Sequence, residues 1–380
     1  MPTSLTVGLG AASLGDADLV LDLAPQHPSA HGALRLALTL EGPRILTAEP
    51  IVGFMHRGAE KLFEVRDYRQ ILVLANRHDW LSAFSNELGI ALAVERMMAL
   101  KVPERATWLR TLFAELNRVL NHTMFFSGLA VGPAAGAALA AVQERREALQ
   151  DAMEAATGGR LHYMFNQIGG LKQELPGGWT QWCERASADL RAAVETADQA
   201  LTADGFFARA EGLGVIHQGT IEAYGVTGPA ARAAGYDMDL RRDEPYLAYA
   251  DLAFGTAFPV PVGSAGDAAA RFRVLLDSIA VSLDLVDACL ARAPGGPISV
   301  RLPKSVRAPE GSTYCWTENP LGVMGYYLVS RGEKTPWRLA MRTASFNNVS
   351  ALAAVLPGTA LSDLVTVLTS MFFVVGDIDK

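Results

Sequence analysis

Two histidines four positions apart, His27 and His31, stand in the run Ala24-Pro25-Gln26-His27-Pro28-Ser29-Ala30-His31-Gly32. An alternating stretch, Leu34 to Leu40, follows at once. A turn fixed by a strand presents polar side chains with little freedom, which suits a ligand site. The plainer alternative is a proline-rich turn with two solvated imidazoles. An imidazole titrates near neutrality, so it can bond a carbonyl oxygen and then give up its proton. A metal would require further ligands at suitable spacing, and the sequence offers no third one beside this pair.

Other polar groups recur along the chain. They include His56-Arg57-Gly58, Asn76-Arg77-His78-Asp79-Trp80, Ser85-Asn86-Glu87-Leu88, Glu115-Leu116-Asn117-Arg118, Asn121-His122 and Arg160-Leu161-His162. Further on come Gly225-Val226-Thr227-Gly228-Pro229, Arg241-Arg242-Asp243-Glu244-Pro245-Tyr246, Pro261 to Asp267, and Gly376-Asp377-Ile378-Asp379. By residue type alone, Arg57, Arg77 and His162 read as salt bridges at helix ends. Glu115, Arg118 and His122 share a helix face at spacings of three and four. That face reads as a buried ion-pair ladder rather than a proton path. Arg241 to Glu244 carries both signs and reads as a satisfied surface or interface loop. Met97-Met98 and Phe372-Phe373 read as core.

The elements that must hold these groups follow from pattern. Strands are expected at Leu19–Leu23, Leu34–Leu40 and Arg44–Val52, between Pro/Gly turns. Helical periodicity takes over from Gly58. Asp79 can cap a helix running to Lys101, and Pro103 can open the next at its first position. Thr123 to Val142 is uncharged and long enough to span a bilayer. Its glycines, alanines and Pro133 make it instead two buried helix segments broken at Gly132-Pro133. Helices are also expected over Gly136–Ala156, with Glu144 to Glu147 on the wet side, over Trp179–Asp204 and over Ala265–Arg292. Residues 213–262 read as irregular with short helices. Strands are expected at Thr313–Trp316, Met324–Ser330 and Arg338–Arg342, and two apolar helices broken near Pro357-Gly358 close the pattern.

This order predicts a mainly α fold with a small β part, an α+β class rather than a doubly wound sheet. After an extension over 1–18, a single domain spans 19–380. Its parts are a β-rich segment (19–53), a helical core (54–300), and small strands with C-terminal helices (301–380). No G-x-G-x-x-G follows a strand, so a nucleotide site is not expected.

Composition narrows the function. The chain has 380 residues, half of them hydrophobic and 19% charged, with a formal net charge of −7. That balance argues against a nucleic-acid partner. The three cysteines, Cys183, Cys289 and Cys315, form no C-x-x-C pair. A disulfide framework or an all-cysteine metal site within the chain is therefore not expected, and scattered thiols suit a reducing compartment. The segment Met1 to Asp18 lacks the basic start and apolar centre of a signal peptide.

Taken in order, these segments resemble the D subunit of the proton-pumping NADH-quinone oxidoreductases, respiratory complex I, from about Asp22 to Lys380. The resemblance implies a helical core like that of the nickel–iron hydrogenase large subunit. It implies a peripheral-arm subunit at the cytoplasmic face of the bacterial membrane that binds no cofactor alone. Its partners would be the B subunit, which holds the terminal 4Fe–4S cluster, the C subunit, and the membrane H subunit at the quinone channel. Quinone is the substrate, reduced in the respiratory chain by electrons from NADH with proton translocation. By the family motif, His31 points at the quinone headgroup and His27 lines the same slot. Trp80 stands where the family has a tyrosine that donates to the quinone, and Gly132 where it has an aspartate paired with the headgroup histidine. Loss of that carboxylate should lower the pKa of His31 relative to the family. Arg57, Arg77 and His162 match the residues beside the partner's cluster. The hydrogenase metal site itself is not expected, because both of its C-x-x-C pairs are missing. A diverged scaffold without orthodox quinone chemistry is the alternative that Trp80 and Gly132 raise.

Overall fold

The computed structural model describes residues 3–7, 20–21, 34–253 and 258–380. Strands β1 (Thr3–Val7), β2 (Val20–Leu21), β3 (Arg35–Glu41) and β4 (Arg44–Ile51) form one sheet in the order β2-β1-β3-β4. β3 pairs antiparallel with β1 and β4, and β1 pairs parallel with β2. The alternation in β3 sends Leu36, Leu38 and Leu40 inward, as a period of two requires. They pack against Ile216, Leu352, Val355 and Leu368 from far along the chain. The strand Thr3–Val7 lies inside the expected extension. It is a five-residue segment whose β3 partners are about 30 or more positions away, so local pattern does not reveal it.

Short helices α1 (Ala59–Phe63) and α2 (Gln70–Ala75) lead to the central pair, α3 (Ala83–Met97) and α4 (Glu104–Met124). Nearly every residue of both is buried, the pattern of helices enclosed on all sides. Pro103 precedes α4 as its cap rather than serving as its first residue. Then come α5 (Pro133–Thr157) and α6 (Trp179–Ala203), packed side by side. Gly132 is extended and Pro133 takes the first helical turn of α5, so the long uncharged stretch is two helices. Among the described residues no helix is long and apolar enough to cross a membrane.

A short hairpin, β5 (Asn166–Gln167) with β6 (Gly170–Leu171), joins α5 to α6. A short helix α7 (Phe206–Ala210) follows α6, and α8 (Gln218–Tyr224), α9 (Pro229–Arg232), α10 (Leu240–Asp243) and α11 (Tyr249–Ala253) occupy the region expected to be irregular with short helices. Helix α12 (Ala268–Arg292) is capped by Asp267, which accepts from the Ala270 amide at 2.8 Å. It packs on α4 and α6. The core between these helices is aromatic, with Phe113 stacked on Trp179 at 5.3 Å and tilted against Phe165 at 4.8 Å.

The last sheet, β7 (Gly311–Asn319), β8 (Gly322–Ser330) and β9 (Arg338–Arg342), is antiparallel in that order. Its Tyr326 and Leu328 pack on Ile90 and Val94 of α3. Close approach requires Gly89: an added Cβ would collide with the Tyr326 ring. The chain ends in α13 (Ala344–Ser350), α14 (Leu352–Val355), α15 (Leu364–Ser370) and α16 (Val375–Ile378), more pieces than the expected pair. The class is thus a mixed α/β fold: a helical core with small, mostly antiparallel sheets.

Two charged residues depart from their expected places. Arg146 is buried rather than on the wet face of α5. Its guanidinium donates to the Leu120 carbonyl at 3.1 Å and to Gln150 at 2.6 Å. Arg241 is not in a surface loop; it is fully enclosed beside α4.

Candidate functional site

His27 and His31 lie outside the described residues. The other expected site residues fall in two places. Trp80 opens a 3-10 turn, Trp80–Ser82, capped by Asp79, whose Oδ1 accepts from the Leu81 and Ser82 amides at 3.1 and 3.0 Å. The half-buried indole packs between the two largest apolar cores. It also lies on Gly376, where a Cβ would run into both the ring and the His78 carbonyl.

At Gly132 the nearby acid is Asp204, whose Oδ1 accepts the Gly132 amide at 2.8 Å. Arg209 and that amide hold the Asp204 carboxyl below its ordinary range. This carboxylate is committed, and a side chain at 132 would meet it at 2.7 Å.

Arg57, Arg77 and His162 come together. Burial and then Arg77 lower the Arg57 guanidinium, and burial, then Arg77 and Arg57, lower the His162 imidazole. Helix α3 sets the imidazole's orientation through Glu87. This fully buried carboxylate accepts from the Met164, Phe165 and Asn166 amides at 2.6, 3.0 and 3.1 Å and from the Asn76 side-chain amide. Asn76 turns its NH2 to Glu87 and its oxygen to His162. His162 Nδ1, 2.5 Å from that oxygen, therefore carries the proton. Its Nε2 is left to accept from a neighbour. Among the described residues neither Arg57 nor Arg77 is ion-paired with a carboxylate, and both are exposed.

The segment leading to Arg57 is held by the C-terminal residues. Asp379 accepts from the Gly53 and Met55 amides at 2.7 and 2.8 Å, and His56 Nδ1 lies 2.6 Å from the Lys380 carbonyl. The same segment exposes Val52, Phe54 and Met55. Asp379→Ala should remove two charge-assisted bonds, each worth about 1.5–3 kcal/mol. Amide exchange at Gly53 and Met55 should then accelerate while that of α3 stays unchanged.

The expected ion-pair ladder on α4 is present and larger than its spacing indicated. Glu115 accepts from both Arg241 Nη1 (3.0 and 3.2 Å) and the Tyr249 hydroxyl (2.5 Å), and it faces Arg118 Nε at 3.3 Å. Arg241 also bonds Asp239, and Arg232 bonds Glu318 at 2.8 Å. Arg118 donates to the Glu318 carbonyl, and His122 Nε2 lies 2.8 Å from the Pro320 carbonyl. Three buried arginines thus meet three buried carboxylates. Arg232 and Glu318 gave no signal in sequence because they pair across 86 positions, and Asp239, two positions from its partner Arg241, showed nothing of its burial. Among the described residues no group of three or more His, Cys, Asp or Glu could hold a metal ion.

Comparison with known proteins agrees along the chain. The family model for the respiratory-chain NADH dehydrogenase 49 kDa subunit matches residues 134–306 and 300–380. A second NADH-quinone oxidoreductase D subunit of Salinispora tropica is 59% identical over 381 residues, covering 99% of this chain and 97% of its own. A first D subunit of Streptomyces coelicolor is 56% identical, covering 100% and 99%. The D subunit of Carboxydothermus hydrogenoformans is 35% identical, covering 95% and 98%. With identity sustained over almost the full length of both this chain and its relatives, the protein belongs to the NADH-quinone oxidoreductase D-subunit family.

Proposed function

We propose that this chain is a peripheral-arm subunit of a proton-translocating NADH-quinone oxidoreductase. It forms the quinone-reduction cleft together with the iron–sulfur B subunit, at the cytoplasmic face of the membrane. The C subunit and the membrane H subunit are the other neighbours. The observation that carries this is the convergence of Arg57, Arg77 and His162 on one surface, with no carboxylate ion-paired to either arginine among the described residues. Two exposed guanidinium groups beside a neutral imidazole suit an anionic partner surface, and positive charge raises the potential of a reduced cluster. A 4Fe–4S cluster held by the partner subunit would supply electrons one at a time.

The residues of this chain deal with the quinone and its protons. Reduction to quinol takes two electrons and two protons. His31 bonds one carbonyl oxygen and releases a proton to it. His27 lines the same slot. The Trp80 indole can hold the second carbonyl through its N–H, but it does not titrate in this range. The slot therefore persists with altered proton delivery or takes a different quinone. Trp80 and Gly132 favour a second reading, a scaffold that joins the cluster-bearing subunit to the membrane arm.

The test uses the intact complex, purified through a tag on this chain and fed by an artificial donor. His31→Ala should lower inhibitor-sensitive quinone reduction by about 10²–10⁴-fold, with subunit content and cluster spectrum intact. Unchanged turnover in an assembled, cluster-loaded complex would favour the scaffold.

A further inference from the structure

Trp80 leaves one of the two protons without a source, and two buried carboxyls flank it. Asp79 precedes Trp80 in the chain. Asp377 follows Gly376, the residue on which the indole lies. Asp79 and Asp377 are each 3% exposed. Asp377 Oδ2 accepts the Ser345 amide at 3.1 Å, but Oδ1 is buried with no donor among the described residues. A carboxylate oxygen enclosed in this way is costly, whereas a protonated carboxyl is not.

Among the described residues no cation forms an ion pair with either carboxyl, although the charges of Lys380 and Arg342 act on Asp377. Tyr326 of β8 gives its hydroxyl proton to the Asn86 carbonyl at 3.0 Å. Arg342 of β9 spends its guanidinium on the Thr227 hydroxyl and the Val323 and Gly225 carbonyls. Lys380 lies over the Phe346 ring, and its charge acts on Asp377 without a direct ion pair among the described residues. His78 is neutral, since burial, Arg57 and Lys380 push it down to about 3. Its Nε2 is also buried without a hydrogen-bond partner among the described residues. Burial and then the charge of Asp377 push Asp79 up to about 8, and burial raises Asp377 as well.

We propose that Asp79 and Asp377 hold a single proton between them and make it available to the quinone cleft at Trp80. This rests on the cleft reading above. In the balanced step, two electrons would arrive in turn from the partner subunit's cluster. One proton leaves His31 and the other leaves the carboxyl pair, whose O–H bond breaks as the second quinol O–H forms. The pair is left as two carboxylates, and both the pair and His31 regain their protons from water. Neither aspartate is assigned contact with the quinone. They act as a proton-holding pair behind Trp80.

The experiment compares the complete wild-type complex with Asp377→Asn and Asp79→Asn. Both replacements keep size and at least one acceptor oxygen, so the turn cap and the Ser345 contact survive. The infrared spectrum of the resting wild-type complex should show a protonated-carboxyl stretch at neutral pH that is weakened in each variant. Removing one carboxyl removes the charge that raises the other. The alkaline limb of quinone turnover should therefore move about one pH unit towards acid. Absence of that stretch in the wild type, or an unmoved pH profile in both assembled variants, would overturn the proposal. Failure of the cleft reading looks different: turnover would then survive His31→Ala while the carboxyl stretch remained in place.

Discussion

Glu115→Ala is expected to destabilise the protein by about 3–5 kcal/mol, the usual consequence of removing one member of a buried charge set. Arg241 would keep Asp239, but Arg118 would lose its carboxylate partner on the same helix, and the Tyr249 hydroxyl would lose its acceptor. No water can reach either guanidinium, since both are about 1% exposed. The measurement is thermal unfolding and recovery of the subunit in the assembled complex. A control at the exposed Arg160, which meets Asp151, Glu154 and Glu147 in solvent, should change little. If both variants melt alike, the buried set does not hold the fold together.

The second large effect is expected at Glu87. Glu87→Ala leaves three backbone N–H groups of residues 164–166 without an acceptor and frees Asn76 to rotate. Met164 sits at φ +45, a conformation that a non-glycine residue adopts only when its surroundings hold it there. Loss of these bonds should cost about 3–5 kcal/mol locally, so the loop should open before the rest of the fold. His162 would lose its orienting bond at the same time. Amide exchange at residues 164–166 should rise by several orders of magnitude. Unchanged exchange at those amides would mean that Glu87 does not hold the loop.

These carboxylates also give pH dependences of opposite sign. Burial works against ionisation of Glu115, but Arg241 and Arg118 overcome it and hold its carboxyl below the ordinary range. Its stabilisation is complete above the unfolded carboxylate pKa and is lost as pH falls through the folded one. Burial pushes Glu87 up to about 7 and Asp79 up to about 8. The native state then keeps protons that the unfolded chain has already released. Stability from these two groups declines as pH rises from the ordinary carboxylate range to about 8.

Most of the helical core was readable from local pattern. The Asp79 cap, the break at Gly132-Pro133, the long helices and the last three strands depend on neighbours within a few residues. Burial of charge was not readable. Arg146 and Arg241 look like surface residues until Leu120, Asp239 and Glu115 are brought to them, the last across 126 positions. Glu87 stood within a recognisable motif, yet its loop-holding role depends on amides 77 to 79 residues away. The grouping of Arg57, Arg77 and His162 followed only from the family resemblance, because nothing in their spacing brings them together.

The buried charges on α4 have a consequence for how the chain reaches its native state. Arg118 meets Glu318, and His122 meets Pro320, across 200 and 198 positions. Until the strand β7 docks, these polar groups must keep their water, because an unpaired buried charge is too costly to form early. Closing loops of that length is slow, and the rate falls as contacts become less local. The central helices therefore cannot finish dehydrating when they first collapse. The expected refolding record is a fast gain of helix followed by a slow phase that is abolished when β7 is deleted, with aggregation competing during the interval.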